Sequence, residues 1–237
     1  MAVKRIVKIF PGPGPMAAFA AALYRRALLK KRGRFTAALP GGATPLPLFD
    51  ALASLRLPWA RAAFTMSDER LVPLTSRASN FGQARARLFS KIGVPRAGLL
   101  SVGRGRGAAP AYCASLRKLT GGTGIPDMVF LGLGADGHTA SIFPGSPALS
   151  EGAAPALEVL APPGVKHRRR VTLALRTINS CPLVVLLAAG PGKRGVFRRA
   201  AAGDKKIPAG LLAPRGKLYL LYSETEQAAP AKKITPA

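Results

Sequence analysis

The 237-residue sequence is short of three kinds of side chain, and each scarcity removes a class of function. Its two cysteines, Cys113 and Cys181, stand too far apart for a Cys-x-x-Cys pair, so neither a disulfide framework nor a thiolate metal site is expected. Its two histidines, His138 and His167, exclude multi-histidine zinc motifs, and no metal is expected. Acidic residues number 10 against 36 Lys and Arg, a formal net charge of +26. Long apolar runs are also missing. The best candidate, the Ala-rich stretch from Met16 to Leu29, is broken by Arg25 and Arg26, well short of the roughly 18–20 residues that span a bilayer. The start, MAVKRIVKIFPGPGP, meets prolines where a secretory signal needs an apolar core. A cytoplasmic protein with no membrane contact is the expectation.

What is present suffices for a buried core, with 48% hydrophobic residues. Apolar strand-like runs alternate with helix-like stretches, which predicts an α/β fold: Rossmann-like, three-layered, with a mostly parallel sheet. Strands are expected at Val3–Ile9, Phe35–Leu39, Ala62–Met66, Asp127–Leu133, Arg170–Leu175, Leu183–Ala188 and Lys217–Tyr222. Helices are expected at Met16–Leu29, Leu46–Leu55 (with Pro45 in its first turn), Ala108–Leu119 and Lys193–Ala201. Residues 1–227 read as one domain, since Gly121–Gly124 is followed at once by an equally apolar strand, and residues 228–237 read as a disordered tail.

The charge excess attracts anions: nucleic acid, acidic membrane or phosphorylated metabolites. Clusters lie at Lys30–Arg34, Arg104–Arg106 and Lys166–Arg170. A general basic drift of a Gly-, Ala-, Pro- and Arg-rich chain reads the same way. A nucleic-acid-binding function is the alternative class, but aromatics are only 6% and do not interleave with the basic residues, so no stacking platform is visible. Salt-sensitive adhesion to polyanions is expected whatever the function.

Turns that follow apolar strands are where open α/β sheets bind ligands. Gly41-Gly42-Ala43-Thr44-Pro45 offers amides and a hydroxyl to a phosphate, or is an ordinary strand-to-helix turn. Ser67-Asp68-Glu69-Arg70 puts two of the few acids side by side, as a site or as a solvated turn, with Asn80 shortly after. The third turn, Gly132 to Ser141, starts as a Gly-x-G-x-x-Gly. A dinucleotide site is not expected there, because Pro144 and Pro147 interrupt the helix it requires and the only acid at the right distance is Glu151. What it does offer is a lone imidazole, His138, beside the carboxylate of Asp136, suited to moving a proton near neutral pH or to a structural hydrogen bond. His167 sits among cations in KHRRR, which disfavours its protonated form. Gly190-Pro191-Gly192-Lys193 places a lysine at a helix start. Neither a Gly-x-Ser-x-Gly elbow nor a Walker phosphate loop occurs.

Taken in order, these segments resemble the glucosamine-6-phosphate isomerase/6-phosphogluconolactonase superfamily, and within it the lactonase branch, over about residues 7 to 227. The resemblance rests on Gly41-Gly42-Ala43-Thr44-Pro45, on Asp68-Glu69-Arg70-Leu71-Val72-Pro73 followed by Ser79-Asn80, and on Arg170-Val171-Thr172-Leu173, Gly190–Lys193 and Ile207-Pro208-Ala209. Most specific is Gly132 to Pro144, which includes Asp-Gly-His-Thr-Ala-Ser. Ala43 departs from the family's usual Ser, and Ser76 stands where a His is common. The isomerase branch tends to have a carboxylate five residues after the motif histidine, a place held here by Phe143. The resemblance implies hydrolysis of a phosphorylated sugar lactone without a cofactor, by a monomer or small oligomer. It implies catalytic roles for His138 and Asp136. It implies substrate contacts from Gly41, Gly42, Thr44, Asp68, Arg70, Asn80, Gly134, Arg170 and Lys193, and oxyanion contacts from the Gly132–Gly137 amides.

Overall fold

The computed structural model describes residues 4–149, 152 and 154–226. Six strands form one sheet in the order β1-β9-β8-β5-β2-β3: β1 (Lys4–Phe10), β2 (Phe35–Leu39), β3 (Ala62–Met66), β5 (Met128–Gly132), β8 (Leu183–Ala189) and β9 (Lys217–Ser223). Every pairing within it is parallel. Parallel strands covered on both faces need continuous apolar runs, and β2 and β3 are buried at all five positions. The edge strand β1 is instead largely exposed. The open edge of β3 is covered by the Leu99–Leu100 segment, whose Leu100 amide donates to the Phe64 carbonyl.

Alternate side chains of these strands enter two cores. On one face Phe35, Leu39, Phe64, Met128 and Val185 pack against α1 (Pro13–Lys30), α2 (Leu46–Ala53) and α3 (Asn80–Arg87). On the other, Ala38, Val129, Leu131, Val184 and Leu220 pack against α4 (Ala108–Leu119), α5 (Leu175–Ser180) and α6 (Arg194–Ala202). The result is a three-layer α/β architecture. A second, antiparallel sheet of three strands, β4 (Asp68–Arg70), β7 (Arg169–Leu173) and β6 (Ala156–Leu160), joins this second face through Val159, Val171 and Leu173. Among the described residues no helix is long and apolar enough to cross a membrane.

The expected strands and helices all appear, Phe35–Leu39, Ala62–Met66 and Ala108–Leu119 with the expected bounds and the others with ends displaced by at most three residues. Four elements were not anticipated: β4, β6, α3 and α5. Residues 68–70 are not a solvated turn, because Asp68 and Glu69 are buried and strand-paired to β7. The strand expected to run to Leu175 ends at Leu173, and α5 starts at Leu175. Pro45 lies just before α2 rather than in its first turn, which holds Pro47. Lys193 precedes α6 in a short 3-10 turn. Val3, Glu151 and the tail at 228–237 lie outside the described residues.

Candidate active site

The chain leaves β2 toward β3 on one side and later enters β5 on the other, so the order reverses between β2 and β5. Loops diverge at such a point and leave a crevice at the carboxyl ends of the strands. A cleft of about 220 Å3 lies there. Its walls come from the β2 turn (Gly41, Gly42, Thr44), from β4 and β7 (Asp68, Arg70, Arg170), from Asn80 at the start of α3, from the β5 turn (Gly134, His138) and from Lys193 after β8. Residues from Gly41 to Lys193 thus meet at the carboxyl ends of the parallel strands β2, β5 and β8, with the antiparallel pair β4–β7 completing the wall.

The β5 turn folds back on itself. The Gly134 amide donates to the His138 carbonyl (2.8 Å) and the Gly137 amide to the Gly134 carbonyl (3.1 Å), with Gly137 at φ +86°. That brings Asp136 under His138, where its Oδ1 accepts from the His138 amide (3.1 Å) and from Nδ1 (2.5 Å). Burial pushes the Asp136 pKa up, but the hydrogen bonds and charge of His138 outweigh it, and the net shift is downward. An ionised carboxylate only accepts, so in the neutral ring Nδ1 holds the proton and Nε2 the lone pair. Among the described residues no hydrogen bond engages Nε2. The side chain is 28% exposed, neither packed inside nor free in solvent. Its ring rests on Phe143, centroids 4.5 Å apart, and over Gly134, where an added Cβ would lie 2.1 Å from Nδ1. The amides of Gly134, Gly137 and His138 are engaged within the turn, which leaves fewer oxyanion donors than the sequence suggests.

Three cations line the cleft. Arg70 and Arg170 are direct partners across the β4–β7 ladder. Burial lowers the Arg170 pKa, the neighbouring charge of Arg70 lowers it further, and Asp68 partly offsets both. Two like charges held side by side favour an anion between them. Arg170 is fixed by the His167 and Lys166 carbonyls and reaches Ser141 Oγ (3.4 Å), which itself donates to Asp68 Oδ2 (2.6 Å). Arg70 donates to the Ala78 carbonyl (2.9 Å), and its buried Nε has no hydrogen-bond partner among the described residues. Lys193 donates to the Leu133 carbonyl (2.6 Å), and burial lowers its pKa while Glu226 raises it. Among the described residues none of the three forms a direct ion pair with a carboxylate.

Behind the wall, Glu69 anchors α3. Its carboxylate accepts from the amides of Arg70, Asn80 and Phe81 and from the Ser79 hydroxyl, at 2.7–3.0 Å. Asn80 is 1% exposed and donates to the Asp68 carbonyl (2.8 Å), and its Oδ1 sits where a Cβ on Gly41 would be. Asp68 and Asn80 therefore border the cleft mainly as buried support, whereas Thr44 and the glycines of the β2 turn are half-exposed on its rim. Sequence reasoning missed Ser141, Glu69 and Phe143 as parts of this assembly. The only sequence signal was the rarity of acids for Glu69, and membership of the quoted run for the other two. Among the described residues no three His, Cys, Asp or Glu side chains cluster closely enough to hold a metal ion.

This arrangement has counterparts. A family model described as glucosamine-6-phosphate isomerases/6-phosphogluconolactonase matches residues 16–220. The chain is 32% identical to a 6-phosphogluconolactonase of Rattus norvegicus, over 89% of this chain and 87% of that one. It superposes with a TM-score of 0.82 on a 6-phosphogluconolactonase from Thermotoga maritima (28% identity, 93% of this chain and 100% of that one). With one from Trypanosoma cruzi the TM-score is 0.85 (28% identity, 94% and 96%). Sequence and fold agree across nearly the whole length, and the chain belongs to the glucosamine-6-phosphate isomerase/6-phosphogluconolactonase family.

Proposed function

We propose that the protein hydrolyses 6-phospho-D-glucono-1,5-lactone to 6-phospho-D-gluconate, the lactonase step of the oxidative pentose phosphate pathway, in the cytoplasm. The observation that supports this most directly is the Asp136–His138 pair, with Nε2 uncommitted, in one cleft with Arg70, Arg170 and Lys193. A lactone is an activated ester, so the reaction needs a positioned water, a base and an acid for the leaving oxygen. His138 Nε2 takes a proton from water as the oxygen adds to C1. The imidazolium formed is stabilised by Asp136. It then returns the proton to the ring oxygen as the C1–O bond breaks, and the acid produced ionises in solution. The phosphate, remote from C1, is held by the cations, and that hold places C1 against the base. Arginine supplies a planar fork and lysine a point charge.

The amino-sugar isomerase chemistry of the same family is less well supported, because the place of its carboxylate is taken by Phe143, buried against His138. The deciding experiment generates the lactone fresh, subtracts its spontaneous hydrolysis, and compares the wild type with His138→Ala. Turnover is expected to fall by about 10²–10⁴-fold with substrate binding largely retained. Near-normal turnover in the variant would remove His138 from the chemistry.

A further inference from the structure

The sequence cluster Lys30–Arg34 plays no part in the catalytic cleft, yet the fold gives it a definite setting. It links α1 to β2, at the amino end of the sheet. There it borders a second concave site of about 580 Å3, formed with the end of α4, the 120–127 loop and Pro182 before β8. Because β2, β5 and β8 run parallel, this site and the catalytic cleft lie at opposite ends of the strands, a strand length or roughly 15 Å apart.

The site is cationic. Lys31, Arg34 and Lys118 line it, with Lys30, Arg32 and Arg117 exposed beside them in the chain. Its one acid, Asp127, is already used: Oδ1 pairs with Lys31 Nζ (2.5 Å) and Oδ2 accepts from the Thr36 amide (2.8 Å). Arg34 and Lys118 form no ion pair among the described residues. Favourable interaction with helix carboxyl ends accounts for Lys30, Arg117 and Lys118, which close α1 and α4. It does not account for Arg34, which lies beyond either helix, or for the hollow these residues surround.

We propose that this hollow binds an oligophosphate: a small anion with two or more linked phosphate groups. The volume is that of a small-molecule site. Its lining contains no aromatic side chain, which removes the stacking surface that single-stranded nucleic acid uses, so the phosphate chain is what is recognised. The cations reach the hollow from two separate segments, the α1–β2 loop and the end of α4, which suits a chain of linked phosphates better than a single one.

Sodium tripolyphosphate, ATP and inorganic phosphate are each titrated into isotope-labelled protein at low salt, with backbone amides followed by NMR. Gly121 and Thr123 report the hollow, and Gly134 and His138 report the catalytic cleft. Saturable shifts at Gly121 and Thr123 are expected with tripolyphosphate and equally with ATP, and at least about tenfold weaker with inorganic phosphate. The double variant Arg34→Glu, Lys118→Glu should weaken tripolyphosphate binding there by at least about tenfold while leaving any response at Gly134 and His138 as in the wild type. Arg34→Ala, confined to a loop, gives the same test should the double variant fail to fold. Unshifted Gly121 and Thr123 amides, or unchanged affinity in the variants, would overturn the proposal. So would a duplex DNA that shifts these amides when tripolyphosphate does not.

Discussion

Replacing Gly134 by alanine tests whether the position of the imidazole, beyond its presence, sets the rate. Gly134 does not adopt a positive φ, so alanine is tolerated by the backbone, and the amide still donates to the His138 carbonyl. The new methyl would stand 2.1 Å from His138 Nδ1 and 2.2 Å from Cε1. Ordinary contact begins at 3.4 Å, so the ring must retreat by more than 1 Å. Phe143 blocks one direction, and any retreat stretches the 2.5 Å bond to Asp136 that fixes the tautomer. A misplacement of about 1 Å costs on the order of 10²-fold in rate, or about 2.7 kcal/mol of barrier. The assay is hydrolysis of freshly made lactone, corrected for the uncatalysed reaction, with thermal melting as the control for folding. The expected result is kcat down by about 100-fold, KM within a factor of about three, and little change in Tm. A folded Gly134→Ala enzyme with wild-type kcat would refute the idea that this contact holds the base in place.

Arg70→Ala should raise KM for the phosphorylated lactone far more than for a phosphate-free lactone, by about tenfold or more, and steady-state kinetics on both substrates measures the difference. Equal effects would take Arg70 out of phosphate recognition. Glu69→Ala leaves three amides and a hydroxyl without their buried acceptor, so a loss of roughly 3–5 kcal/mol is expected in urea denaturation. A loss below about 1 kcal/mol would mean that water replaces the carboxylate. Asp136 has a folded pKa below its ordinary value of 3.8, so the stability it confers is present above that pH and lost as pH falls through the depressed value. The stability gap between wild type and Asp136→Asn should accordingly shrink as the pH falls below about 4, as followed by denaturation midpoints. A gap that widens in acid would contradict the sign of the shift.

The six strands of the main sheet were legible because burial on both faces leaves an uninterrupted apolar run, as in Leu183–Ala189. The small sheet was not. β4 is three charged residues, its two acids buried through hydrogen bonds rather than apolarity, and β6 has two of its five residues exposed. α3, with the sequence NFGQARAR, lacks an apolar stripe, and its one local signal is Ser79, whose hydroxyl accepts from the Gly82 amide as an N-cap. In the site, the turns after β2, β5 and β8 announced themselves by glycine. Their convergence did not, since it depends on strand order, which periodicity does not encode. Nor could spacing show that Asp136 folds under His138, or that the buried Ser141 ties Asp68 to Arg170.

The Asp136–His138 pair is assembled within five consecutive residues, Gly134 to His138, while each cation of the cleft arrives on a different segment: Arg70 on β4, Arg170 on β7, Lys193 after β8. Reactivity and address are therefore separately adjustable. A duplicated copy of this chain could exchange its rim, segment by segment, for side chains suited to another cyclic ester, and keep the Asp136–His138 pair intact at every intermediate stage.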